Sequence, residues 1–136
     1  KSSVSRAFAS ISDSAPGAGF RVGFDNICNS STSLELEIDD FTASHKADFY
    51  TKLFAAGTSC WTPLRAALSK AGRLYAGQLA SDPVQFSCQQ NFTFLTTDGY
   101  WNTNAETASY GPKKENGSTN VGDQDGAALS TDPPYR

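Results

Sequence analysis

The sequence predicts an α/β sandwich built around a mostly parallel sheet, on three observations. Segments with the two-residue period of strands are interleaved with segments of helical period, which is the arrangement of layered α/β domains. One apolar run, Phe92-Thr93-Phe94-Leu95, scarcely alternates, as expected of a central strand covered on both faces. The chain has 136 residues, enough for one hydrophobic core and too few for two comfortable ones. The expected organisation is therefore a single domain over 1–136, containing a long polar loop at 102–126.

The elements follow in chain order. Ser5 to Ile11 carries apolar residues at helical spacing and stops at Asp13-Ser14-Ala15-Pro16-Gly17, a cluster of chain breakers. In Phe20-Arg21-Val22-Gly23-Phe24 apolar and other residues alternate, and Leu34 to Asp39 alternates more strictly. With the polar turn Ser30–Ser33 between them, these two strands form a hairpin. From Ala47 the period becomes helical through Phe49, Tyr50, Leu53 and Phe54, and Gly57 closes that helix. A second helix starts at Thr62-Pro63, with Thr62 in the N-cap place and Pro63 at the first helical position. Its buried stripe is Leu64, Ala67, Leu68, Ala71 and Leu74 or Tyr75. Asp82-Pro83 then breaks the chain ahead of the strand holding Phe92, Phe94 and Leu95. Asn102 to Gly126 is rich in Asn, Gly, Ser and Thr and reads as a loop.

Composition narrows the function classes. A net charge of −3 leaves no basic footprint, so no nucleic-acid partner is expected. No apolar run is long enough for membrane insertion as a helix. Low charge with abundant Ser, Thr and Asn favours an extracellular or periplasmic address. The chain opens on Lys1, not on an initiator Met, so a mature form or a piece of a longer polypeptide is expected. Cys28, Cys60 and Cys88 form no C-x-x-C pair and lie far from the single histidine, His45, which argues against zinc. Their odd number leaves the disulfide pairing open. No catalytic residue is expected. A Ser-His-Asp arrangement would rest on His45 alone, which reads as a solvated residue just before a helix. Asp39-Asp40 reads as a polar turn, and Asp123 to Gly126 as a Gly-rich turn without the register of a calcium loop.

Two segments could carry chemistry together: Gly57 to Arg65, containing Thr62, and Phe94 to Gly99, containing Asp98. A hydroxyl at a helix start and a carboxylate at a strand end are hard oxygen ligands suited to Mg²⁺, Mn²⁺ or Ca²⁺. Ligands of α/β sheets bind beyond the carboxyl ends of the strands, where Asp98 would lie. Each residue also has a plainer explanation. Asp98-Gly99 is a common turn pair, and Thr62 can cap its helix whether or not a cation is present.

The segments G-x-x-x-W-T-P-L-R-A-A-L, C-Q-Q-N-F-T-F-L-T-T-D-G-Y-W-N and V-G-D-Q-D-G resemble the N-terminal region of type IV pilus tip-associated adhesins of the PilC/PilY kind. The resemblance runs from about Phe20 to Gly126, and T-D-G-Y-W-N is its most specific part. It implies a von Willebrand factor A-like fold, doubly wound and mostly parallel, with helices on both faces. It also implies a metal-ion-dependent adhesion site in which Thr62 and Asp98 match the second and third metal motifs. The first motif, D-x-S-x-S, has no match in the chain. Its strand should precede the helix that ends near Ile11, so truncation on the N-terminal side is expected. The implied role is binding at the pilus tip, in pilus assembly, surface attachment and twitching motility, at the bacterial cell surface. The implied partners are other pilus proteins or a host or surface ligand. A module of the same fold that binds no metal and docks another pilus component is the alternative.

Overall fold

The computed structural model of the chain describes residues 1–57 and 62–97. Over these the element order is α1 (Ser2–Ala9), β1 (Arg21–Phe24), β2 (Leu36–Asp40), α2 (Ala43–Ala55) and α3 (Leu64–Tyr75). The chain divides into two units, Lys1–Ser59 and Cys60–Arg136.

In the first unit the two alternating segments pair as expected, in an antiparallel hairpin with Arg21 opposite Asp40, Val22 opposite Asp39 and Phe24 opposite Leu36. The register slips by one between Val22 and Phe24, a β-bulge in which Glu37 and Ile38 of β2 face Gly23 alone. β2 begins at Leu36, two residues later than the alternation suggests, because the connecting loop captures the preceding amides. The Leu34 amide donates to Glu37 Oε1 (3.3 Å) and the Glu35 amide to Asp25 Oδ1 (3.3 Å), so neither is offered to the ladder. The alternation itself persists: Leu36 and Ile38 are half-buried, whereas Glu37 and Asp39 are exposed.

α2 starts at Ala43, four residues before the periodic apolar run. The reason is its cap: Thr42 has extended backbone and its hydroxyl accepts from the His45 amide at 3.3 Å, satisfying one of the free donors of the first turn. The helix buries Phe49 and Leu53 against Phe41, while Val4, Phe8, Ile11, Val22, Phe24, Leu36 and Tyr50 pack around them. The contact is largely aromatic. Phe49 lies 4.7 Å from Phe8, 5.7 Å from Phe41 and 6.0 Å from Phe24, the last two edge-to-face as the ring quadrupoles prefer. At the other end of α2, Lys1 Nζ donates to the carbonyls of Phe54 (2.7 Å) and Ala56 (2.6 Å), placing a cation where the helix dipole is negative.

In the second unit α3 ends in a Schellman arrangement. Gly77 takes φ +64°, its amide donates to Leu74 O (3.1 Å), and the Gln78 amide donates to Arg73 O (2.9 Å). Leu64 and Leu74 of the expected stripe are buried, but Leu68 is 50% exposed, and Ser69 and Lys70 are buried instead. Asp82 Oδ1 accepts from the Val84 amide across Pro83 (2.9 Å), which accounts for the break at this point. The following strand is not realised among the described residues: 91–97 has no ladder partner, and Phe92 and Phe94 are 79% and 73% exposed. An apolar run becomes a covered central strand only with neighbours on its edges and faces, and among the described residues no strand pairs with it.

Tyr75 tethers this segment to α3: its hydroxyl donates to Phe92 O at 2.9 Å. Burial raises the Tyr75 pKa above 10.0, and a side-chain hydrogen bond with Thr93 partly offsets it. A raised phenol pKa means that the stabilisation is complete below about pH 10 and is lost as pH rises through the folded-state value, because the unfolded chain ionises first. Thermal melts of the chain should therefore fall more steeply above about pH 10 than those of Tyr75→Phe. That variant should also lose about 1 kcal/mol at neutral pH with its hydrogen bond. Equal alkaline slopes would disprove the assignment.

Candidate functional site

Thr62 sits where the chain turns into α3. Its carbonyl accepts from the Leu64 amide at 2.9 Å, and Pro63 between them has φ −82° and ψ 56°. An i→i+2 bond around such a residue is an inverse γ-turn. The first helical bond then runs from the Ala67 amide to Pro63 O (3.0 Å), so Pro63 is the cap residue and no side chain caps the helix. This corrects the expected placement by one position. Thr62 lies one residue ahead of the N-cap because the γ-turn uses Pro63 as its pivot. Thr62 is half-buried and makes a further interaction besides the γ-turn bond.

Asp98, with Gly99, Tyr100 and Trp101, lies outside the described residues, as does the loop at 102–126. The pairing of Thr62 with Asp98 therefore rests on the sequence. Among the described residues no group of three or more His, Cys, Asp and Glu side chains is placed to hold a metal ion.

His45 departs from its expected position. It lies in the first turn of α2, partly buried, with Nε2 2.7 Å from Val22 O. A carbonyl can only accept, so Nε2 carries the proton and the imidazole ties α2 to β1. Asp39 and Asp40 end β2 and do not form a free turn. Asp40 Oδ2 accepts from the Gly17 amide (2.7 Å), and Asp39 Oδ1 accepts from the Asp40 amide (2.8 Å). Sequence reasoning overlooked the loop between the strands as an organised unit. Asp25 Oδ1 accepts from Asn29 Nδ2 (2.6 Å), Asn26 Oδ1 from the Cys28 amide (3.0 Å), and Asn29 Oδ1 from the Ser31 amide (3.0 Å). The signal was Asp25, Asn26, Asn29, Ser31 and Ser33 together, each able to fold its side chain back onto nearby backbone. Of the cysteines, Cys88 is an exposed free thiol and Cys28 is not free, while Cys60 lies outside the described residues.

Comparison with known proteins adds a specific likeness. The chain is similar to the Type IV pilus biogenesis factor PilY1 of Pseudomonas aeruginosa strain PAK, with 31% identity over 107 residues, covering 71% of this chain and 9% of that protein. The PAO1 protein of the same name is 29% identical over 115 residues, again with 71% and 9% coverage. The protein of strain UCBPP-PA14 is 35% identical over 66 residues, 46% of this chain and 6% of that protein. No family model and no solved structure matches.

The chain thus spans about a tenth of the length of the PilY1 proteins it matches. The likeness agrees with the pilus-protein resemblance carried by the motifs around Thr62 and Asp98, and it leaves the von Willebrand A-like fold as an expectation. No helix among the described residues is long and apolar enough to cross a membrane.

Proposed function

We propose that this chain is a von Willebrand A-like portion of a type IV pilus biogenesis factor, located at the bacterial surface and acting by binding rather than catalysis. The observation that carries the proposal is the similarity to PilY1 over 71% of the chain. Supporting it are the W-T-P-L-R and T-D-G-Y-W-N segments, whose order and spacing resemble the second and third metal motifs of an adhesion site. In this proposal Thr62 and Asp98 are two ligands of a divalent cation, Mg²⁺, Mn²⁺ or Ca²⁺, completed by a D-x-S-x-S strand of the longer polypeptide. Thr62 contributes a neutral hydroxyl and Asp98 a charged oxygen, the donor types that hard cations prefer. A coordination position left open would accept a carboxylate from another pilus component or a surface ligand, which makes attachment cation-dependent.

Two measurements test these parts separately. In the bacterium that makes the protein, removing the matched segment should abolish surface pili and twitching; pili at wild-type numbers would end the pilus assignment. In the polypeptide extended upstream of Lys1, calorimetry should show divalent binding that Asp98→Ala abolishes. Thr62→Ala should weaken that binding about tenfold, or about 1.4 kcal/mol. Divalent binding unchanged in Asp98→Ala would refute the metal role. Partner binding that survives chelation would identify the metal-free docking module instead. For the cysteines, alkylation without reductant should label Cys88 and spare Cys28; labelling of both would show that Cys28 is a free thiol.

A further inference from the structure

We draw no further inference here: the strongest candidate, the exposed aromatic face of Phe86, Phe92 and Phe94 on the segment that follows α3, is an unpartnered apolar patch, and nothing in the structure shows what covers it.

Discussion

Phe41→Ala is expected to cost about 3–5 kcal/mol and to unfold the Lys1–Ser59 unit. Phe41 has no exposed surface, and it is the largest fully buried side chain among the described residues. Its ring meets Phe8 at 6.2 Å and Phe49 at 5.7 Å, both edge-to-face, and Lys46 Nζ sits 5.7 Å from its centroid. Alanine would leave a void bounded by aromatic rings that cannot collapse without breaking their own contacts, so the cavity cost adds to the lost transfer energy. The backbone around it joins three segments: the Phe41 amide donates to Phe20 O (3.0 Å), and its carbonyl accepts from the Ser14 amide (2.9 Å). A unit this small has about 3–9 kcal/mol of total stability, so the loss consumes most or all of it. Hydrogen exchange should show α2 and hairpin amides exchanging at close to unprotected rates in Phe41→Ala. Tyr50→Phe, which loses only the 3.2 Å bond from its hydroxyl to Ser5 O, should keep them protected. Protected hairpin amides in Phe41→Ala would show that the core does not depend on that ring.

Phe41 also shows where sequence reading stops. It stands alone between Asp40 and Thr42, outside any periodic run, so no pattern marks it as the centre of a core. The hairpin was legible because alternation is a local property that burial of one face imposes directly. The start of α2 was not, because Thr42 sets it through a single hydroxyl and not through the apolar pattern. Thr62 was misplaced by one residue for a similar reason. Threonine before proline suggests a cap, but an i→i+2 bond moves the cap to Pro63. The segment around Phe92 and Phe94 failed differently. Its apolar run specifies that it should be covered, and only tertiary partners decide whether it is. Of the candidate cation ligands, the choice of Thr62 and Asp98 came from motif order, which local geometry at Thr62 neither requires nor replaces.

The bulge in β2 opposite Gly23 provides a second large effect, and it turns on space at that one glycine. A Cβ added at Gly23 would lie 2.6 Å from Ile38 Cγ1, 3.0 Å from Leu36 O and 3.2 Å from Ile38 N. The isoleucine methylene can swing aside, but the carbonyl and amide belong to β2 and move only if the ladder moves. Gly23 sits where the register slips, so relief would have to come from re-pairing the strands, which carries alternate residues to the opposite face. Gly23→Ala is therefore expected to destabilise the unit by about 1–3 kcal/mol, the usual cost of overpacking. In a unit of this size that lowers Tm by about 4–8 °C per kcal/mol. Gly57 is the internal control, because a Cβ there meets nothing within 4 Å and its backbone is not left-handed. Gly57→Ala should be neutral or should stabilise by about 0.4–1 kcal/mol, through the lowered entropy of the unfolded chain. The two substitutions add the same methyl group, so a difference in Tm between them isolates the contact across the bulge. Equal melting temperatures would mean that Gly23 does not sit against β2, and the slipped register would then have to be abandoned.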